Sequence, residues 1–98
     1  MEARSSDRAR LHAVVEGRVQ GVNFRYYTVL TARRLGLTGW VANRWDGKVE
    51  TVAEGPRPAL EEFLAFLHEG SPSAVVLRVD ARWEEPTGEL HDFKVRYL

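Results

Sequence analysis

The residues best suited to chemistry in this chain of 98 residues lie in one stretch, residues 17–25. Gly17 and Gly21 bracket a short loop there, and Arg25 follows it. Glycine can adopt backbone conformations that turn successive N–H groups toward one point. The guanidinium of Arg25 adds a permanent charge and a planar fork of donors that matches two phosphate oxygens. The stretch therefore predicts an anion site, and phosphate is the anion that suits it best.

Side-chain amides are scarce, and two of the three in the chain lie in this loop. These two are Gln20 and Asn23, and the third is Asn43. An amide has both a donor and an acceptor, so Asn43 can hold a water in line with a bound phosphorus if the fold brings it to the loop. The spacing alone leaves a second interpretation open, in which two glycines make a tight turn beside surface residues. The G-x-x-x-x-G-K-[ST] spacing of nucleotide-binding P-loops is absent.

The hydrophobic pattern around the loop predicts the elements that position it. Residues 9–16 alternate between apolar and polar positions and predict a half-buried strand. The loop leads into a predicted helix over 24–35, which Gly36 ends. A second strand is predicted over 38–43, and the Asp-Gly dipeptide after it favours a hairpin turn into a third strand over 48–54.

The second half of the chain predicts one more helix and two more strands. Gly55-Pro56 is expected to end the third strand. The clearest helical stripe follows, and its apolar positions are Leu60, Phe63, Leu64 and Leu67. The fourth strand is predicted to alternate with an inward face made of Val75, Leu77, Val79, Ala81 and Trp83. Residues 84–91 form a polar connection to a short last strand over 93–97. Trp40, Trp83 and Phe63 are expected in the core.

This order is the β-α-β-β-α-β pattern of an α+β, ferredoxin-like α/β sandwich, with two helices on one face of a mainly antiparallel sheet and a short C-terminal strand. Right-handed crossovers make the first two strands parallel, with the third between them. Asn43 then lies at the same sheet edge as the loop, roughly 10 Å away. We expect residues 1–8 to be a flexible tail and residues 9–98 to form the single domain.

Two long motifs resemble those of the acylphosphatase family. Residues 17–25 resemble its signature G-x-V-Q-G-V-x-F-R, and residues 39–50 are similar to its motif G-W-V-x-N-x-x-D-G-x-V-E. Further matches extend the resemblance over residues 11–97, so that 9–98 is expected to be an acylphosphatase-like domain. The family's fold is the α/β sandwich predicted above.

The resemblance implies an enzyme that hydrolyses the carboxyl-phosphate anhydride of an acyl phosphate to a carboxylate and inorganic phosphate, without metal or cofactor. Arg25 would bind the phosphoryl group, and Asn43 would position the attacking water. The backbone cradle would be formed by Gln20, Gly21, Val22, Asn23 and Phe24. Because the leaving group is a carboxylate, whose conjugate acid has a pKa of about 4 to 5, it departs without a general acid. Charge stabilisation and positioning remain as the protein's tasks.

The composition of the chain argues against several other classes of function. Formal net charge is zero and there is no cysteine, which argues against nucleic-acid binding, disulfides and thiolate metal sites. No apolar run is long enough to span a membrane, so we expect a cytoplasmic monomer whose partners are an acyl phosphate and, as product and inhibitor, inorganic phosphate. On the open sheet face Glu50 and Glu54 are expected to repel RNA.

Two lesser expectations concern side chains outside the motifs. The three histidines, His12, His68 and His91, are scattered and are interpreted as structural or exposed residues. Trp45 is expected to be exposed near the site, where it can contact the acyl part of a substrate. The alternative to an enzyme is a non-catalytic acylphosphatase-like module that binds a phosphorylated ligand or a partner protein.

Overall fold

Strands and helices follow one another in the predicted order within residues 7–98, which the computed structural model describes. The elements are β1 (Arg8–Arg18), α1 (Phe24–Arg34), β2 (Thr38–Asn43), β3 (Val49–Pro56), α2 (Arg57–Glu69), β4 (Val75–Glu84) and β5 (Phe93–Val95). Of the predicted tail, residues 1–6 lie outside the described residues. Neither α1 nor α2 has the length and apolar character that a membrane crossing requires.

The sheet has the strand order β4-β1-β3-β2-β5. β3 is antiparallel to both β1 and β2, and β4 is antiparallel to β1, whereas β5 pairs with β2 in parallel. β1 and β2 therefore run parallel with β3 between them, as predicted. Their C-terminal ends share one edge of the sheet, which is where the loop of residues 19–23 and Asn43 lie.

The core lies between the sheet and the two helices. Alternate residues of β1 are fully buried, namely Leu11, Ala13 and Val15, and the helices contribute Phe24, Thr28, Ala32, Leu60, Phe63 and Leu67. The rings of Phe63 and Phe93 meet edge to face, with centroids 5.8 Å apart, which ties α2 to the short strand β5. Gly36, at φ 72°, ends α1 in the left-handed conformation that the sequence predicts.

The predicted inward face of β4 is wrong at Val75 and Leu77, whose side chains are 52% and 75% exposed, and Ala81 is exposed as well. Val76 packs against the core instead. The reason is a β-bulge: Glu16 pairs with Arg78 and Gly17 pairs with Val76, so Leu77 is an extra residue that shifts the alternation by one. The pattern of apolar residues within β4 does not reveal this shift, because Val75, Val76 and Leu77 are three consecutive apolar residues that fit either register.

The same bulge changes the interpretation of Gly17, which lies in β1 rather than in the loop. At φ 139° a side chain there would be strained, and an added Cβ would lie 2.2 Å from the carbonyl oxygen of Val75. Gly17 is therefore required by the close approach of β4 and not by the turn of the loop.

Glu54 was expected on the open face of the sheet, but its side chain is only 2% exposed. The connection after β4 folds over it: Thr87 donates from its backbone N–H at 2.8 Å and Gly88 from its own at 3.0 Å. The Arg10 guanidinium lies 2.7 Å away and compensates the charge. The carboxylate can be buried because these donors replace its hydration.

β3 also runs to Pro56, past the predicted end at residue 54.

Of the aromatic residues predicted for the core, Phe63 is fully buried, but Trp40 and Trp83 are only half-buried. Each tryptophan ring is covered by an arginine. The guanidinium carbon of Arg96 lies 4.6 Å from the Trp40 ring centre, and that of Arg57 lies 3.7 Å from the Trp83 ring centre. Trp83 still packs against the hydrophobic core, and both rings are partly covered by cation–π contacts instead of being fully buried.

Candidate active site

The loop between β1 and α1 is fixed to the β2–β3 turn by the side chain of Gln20. Its Nε2 donates to the carbonyl of Arg44 at 2.8 Å and to the carbonyl of Lys48 at 2.9 Å. Both N–H groups of the amide donate, so these two acceptors determine which end of the amide is the nitrogen and which is the oxygen. This contact joins the loop to the strand end that carries Asn43.

Two further contacts hold the loop from the core side. Val19 is 2% exposed and belongs to the hydrophobic core. The buried hydroxyl of Ser71 donates to the carbonyl of Val22 at 2.6 Å. Because the Val22 carbonyl accepts this hydrogen bond on the core side of the loop, the N–H groups of the loop can point away from the core.

The backbone N–H groups of residues 20–25 donate no hydrogen bond within the described residues 7–98. Gly21, at φ 74°, and Asn23, at φ 62°, both adopt the left-handed conformation, which alternates the direction of the peptide groups in the loop. The first bond of α1 runs from the N–H of Tyr27 to the carbonyl of Asn23. The free N–H groups therefore lie at the positive end of the helix, where an anion is stabilised.

Arg25 is half-buried at the start of α1. Its guanidinium carbon lies 5.8 Å from the centre of the Tyr97 ring, within the range of a cation–π contact. No ion pair joins Arg25 to a carboxylate within the described part of the chain. Its charge is thus available to a ligand.

Asn43 is the last residue of β2, and its Oδ1 atom is buried without a hydrogen-bond partner among residues 7–98. A buried acceptor without a donor costs about 1–3 kcal/mol. Such an atom is an expected feature of a site whose partner is a water or a substrate group rather than a protein group.

One cleft of about 240 Å³ brings together Gln20, Arg25 and Asn43, three of the seven residues predicted for the site. Its other lining residues are Arg44, Trp45, Arg96, Tyr97 and Leu98. A neighbouring cleft of about 400 Å³ also contains Arg25 and is bordered by the predicted loop residues Gly21, Asn23 and Phe24. Val22 lines neither cleft and is half-buried. Trp45 is 94% exposed, as expected.

The second arginine of the smaller cleft, Arg44, is compensated by carboxylates. Its guanidinium lies 3.0 Å from Asp46 and 3.5 Å from Glu50. The hydrogen bond from Arg44, followed by that from the Lys48 N–H, lowers the pKa of Asp46, and the same bond raises the pKa of Arg44. Both groups are therefore charged at neutral pH and offset each other, whereas Arg25 has no carboxylate partner within the described residues.

The sequence did not predict the role of the Gln20 side chain. It was predicted only as a backbone member of the cradle, whereas in the structure its amide connects the loop to the hairpin. The signal was present, because a polar amide between Val19 and Gly21 has no solvated strand face to occupy. The Arg44–Asp46 pair was also missed, although two opposite charges flanking an exposed turn residue favour such a pair.

The fold and this cleft define a class: a ferredoxin-like sandwich with an anion-binding loop between its first strand and helix and an amide at the adjacent strand end. The family model described as acylphosphatase matches residues 11–95. A Trichormus variabilis protein named acylphosphatase is 55% identical over 89 residues, which is 91% of this chain and 87% of that protein.

Solved structures agree with this sequence comparison. An acylphosphatase from Bacillus subtilis superposes with a TM-score of 0.88 at 39% identity, covering 91% of this chain and 99% of that one. An acylphosphatase from Coxiella burnetii gives a TM-score of 0.85 at 38% identity, with 98% and 100% coverage. The chain belongs to the acylphosphatase family, and it is therefore a hydrolase. The predicted family, ferredoxin-like fold and enzyme class are confirmed, while the roles of single residues stay predictions.

Proposed function

We propose that this acylphosphatase family member holds the phosphoryl group of an acyl phosphate between Arg25 and the N–H groups of residues 20–24, and that Asn43 positions the attacking water. The observation that carries the proposal is that one cleft contains both an arginine without a carboxylate partner and a buried amide oxygen without a donor. Phosphate oxygens supply what the first group lacks, and a water O–H supplies what the second lacks.

The phosphoryl group is bound by charge and by aligned dipoles. The fork of Arg25 matches two phosphate oxygens, and the loop N–H groups at the start of α1 add donors that need no rearrangement. Phosphoryl transfer concentrates negative charge on the equatorial oxygens of the transition state. Donors that are already aimed at those oxygens therefore lower the barrier more than they stabilise the bound substrate.

The Asn43 Oδ1 atom orients the water by accepting a hydrogen bond from one of its O–H groups, which turns an oxygen lone pair of the water toward phosphorus. The water oxygen forms a bond to phosphorus as the bond from phosphorus to the carboxyl oxygen breaks, and the electron pair leaves with the carboxylate. The water's proton passes to a phosphate oxygen. The carboxylate leaves as a stable anion, so the step requires neither a general acid nor a protein base.

The proposal also covers the inhibitor, the oligomeric state, the cofactor requirement and the alternative to an enzyme. Inorganic phosphate binds the same groups and inhibits as product, and the protein acts as a cytoplasmic monomer without metal or cofactor. The non-catalytic alternative, a module that binds a phosphorylated ligand or partner protein, predicts phosphate binding without turnover. The buried, unpartnered oxygen of Asn43 favours the enzyme, since binding alone would not require it.

The first experiment measures acetyl phosphate hydrolysis by the folded protein, with a phosphomonoester as control substrate and with and without EDTA. We expect turnover of acetyl phosphate only, unchanged by the chelator. Absence of turnover in folded protein, or loss of turnover in EDTA, would contradict the mechanism.

Two variants separate the roles of the residues. Arg25→Ala should lose phosphate binding and reduce kcat/KM by about 10³-fold or more, because it removes the charge that stabilises the transferred group. Asn43→Ala should reduce kcat by about 10²–10³-fold while phosphate still inhibits competitively. Arg96→Ala is the matched control, since Arg96 lines the same cleft but lies over Trp40. Equal loss of binding in the Arg25 and Asn43 variants would contradict the division of roles.

A further inference from the structure

We propose that Ser71, which lies in neither of the two family motifs, is a positioning residue of the phosphate site. Its hydroxyl holds the peptide group between Val22 and Asn23 in the orientation that directs the Asn23 N–H toward a bound phosphoryl group. The inference rests on the proposed function, because it takes the phosphoryl group to lie between Arg25 and the N–H groups of the loop. It adds the connection between α2 and β4 to a site otherwise built from the β1–α1 loop and the end of β2.

Ser71 begins the turn between α2 and β4, and this turn packs behind the loop. The N–H of Ala74 donates to the Ser71 carbonyl at 3.0 Å, and Pro72 occupies the second position of the turn, which its fixed φ suits. The preceding Gly70 is so near Phe24 that an added Cβ would lie 3.0 Å from the phenyl ring. Ser71 is only 3% exposed, so its hydroxyl is committed to a protein acceptor.

The hydrogen bond from Ser71 fixes one peptide group of the loop. The Ser71 hydroxyl donates to the Val22 carbonyl at 2.6 Å, and residues 7–98 contain no cis peptide bond. In a trans peptide group the C=O and the following N–H point in opposite directions. The Asn23 N–H therefore points away from the α2–β4 turn, and it donates no hydrogen bond among residues 7–98. Asn23 borders the same cleft as Arg25, so this N–H is available to an anion bound at Arg25.

The orientation that Ser71 holds is one that the backbone alone disfavours. Asn23 has φ 62° and is the only residue other than glycine with a positive φ within residues 7–98. The left-handed region is unfavourable for any residue with a Cβ, although asparagine tolerates it better than most. Rotation of the Val22–Asn23 peptide group by half a turn takes Asn23 to a negative φ in the broad β region. The rotated group would present its carbonyl oxygen, which repels an anion, where the N–H now lies.

The first experiment removes only the hydroxyl. A buried hydrogen bond of this kind changes an equilibrium by about tenfold, and only molecules with the native peptide orientation bind phosphate well. Ser71→Ala should therefore raise the inhibition constant of inorganic phosphate by about tenfold and lower kcat/KM for acetyl phosphate by a similar factor.

Thr51→Val is the matched control. Thr51 is also fully buried, and its hydroxyl donates to the Trp40 carbonyl at 2.7 Å within the sheet. Both variants should lower the midpoint of urea unfolding, but Thr51→Val should keep wild-type phosphate affinity. An equal loss of phosphate affinity in the two variants would show that destabilisation alone weakens binding, and the role of Ser71 would be rejected.

A second change at Asn23 tests the strain directly. In the Ser71→Ala background, Asn23→Gly should restore part of the phosphate affinity, because glycine adopts the left-handed conformation without strain. Asn23→Ala in the same background should reduce the affinity further, since alanine tolerates that conformation less well than asparagine. A role of Ser71 in stability alone predicts no such opposite effects, and finding the two double variants equal in affinity would overturn the inference.

The wild-type protein supplies a test that needs no variant to fold. In a titration with inorganic phosphate followed by backbone NMR, the Asn23 amide proton should move downfield as it donates to the anion. Phosphate binding without a response at Asn23, or wild-type affinity in Ser71→Ala, would overturn the inference and leave the proposed function in place. A folded wild-type protein that neither binds phosphate nor hydrolyses acetyl phosphate would contradict the proposed function, and this inference with it.

Discussion

Replacing Gln20 by leucine should release the loop from the β2–β3 turn while its backbone N–H remains in place. Two hydrogen bonds are lost, to the carbonyls of Arg44 and Lys48. Each carbonyl keeps a second donor, since the Gly47 N–H bonds to Arg44 at 3.3 Å and the Arg44 N–H bonds to Lys48 at 2.8 Å. The cost is therefore that of two ordinary hydrogen bonds, about 0.5–1.5 kcal/mol each, with no carbonyl left unpaired.

The free energy of unfolding should fall by about 1–3 kcal/mol in Gln20→Leu, which for a domain of this size lowers Tm by about 4–8 °C per kcal/mol. Urea denaturation monitored by tryptophan fluorescence measures the first quantity. Phosphate affinity should fall as well, because only the fraction of molecules with an ordered loop binds. Isothermal titration with inorganic phosphate measures this second effect.

Asn23→Gly provides the control in the same loop. Asn23 has φ 62°, a conformation that glycine adopts readily, and its side chain makes no capping hydrogen bond at the start of α1. This variant should keep both stability and phosphate affinity close to those of the wild-type protein. If Gln20→Leu also kept wild-type stability and phosphate affinity, the claim that the side-chain hydrogen bonds of Gln20 fix the loop would be refuted.

Two further predictions concern the sheet that supports the site. Gly17→Ala should destabilise the protein by more than about 2 kcal/mol in urea denaturation, because its Cβ would meet the Val75 carbonyl at 2.2 Å; wild-type stability would contradict the bulge geometry. For Glu54, burial alone would raise the pKa, but the hydrogen bonds from Thr87, Arg10 and Gly88 outweigh it and lower the pKa below its usual value. The stabilisation by Glu54 is thus present above the usual glutamate pKa of about 4.3 and is lost as the pH falls through the lower folded-state pKa. Glu54→Gln should therefore flatten the loss of stability in this acid range, and equal pH profiles of the two proteins would refute the prediction.

The position of Asn43 could be predicted because it depends on topology alone. A β-α-β-β-α-β order with right-handed crossovers leaves one arrangement in which the loop after β1 and the end of β2 share a sheet edge. That argument needs only the type and order of the elements, which the periodic segments indicate clearly. The family motifs then identified the same residues independently of the topology.

The errors arose where a side chain depends on contacts between distant segments. Leu77 was misplaced because a bulge is set by the pairing of β4 with Gly17 in β1, and the apolar run in β4 fits either register. The sequence pattern predicts an exposed Glu54 because residues 87–88, which cover it, belong to a connection with no periodic pattern. Both features result from the approach of segments more than thirty residues apart in sequence, which local patterns do not encode.

The pairing of charges at the cleft explains how a chain with zero net charge can bind a phosphate without attracting polyanions in general. Arg44 is compensated by Asp46 and Glu50, and Arg96 lies over the Trp40 ring. Arg25 has no carboxylate partner among residues 7–98 and lies beside N–H groups whose dipoles add no net charge. Recognition of nucleic acid needs several phosphates neutralised in a row, and its affinity falls steeply with salt. Arg25 and the adjacent N–H groups lie in a recess that fits one isolated phosphoryl group instead, so we expect phosphate binding here to depend only weakly on ionic strength.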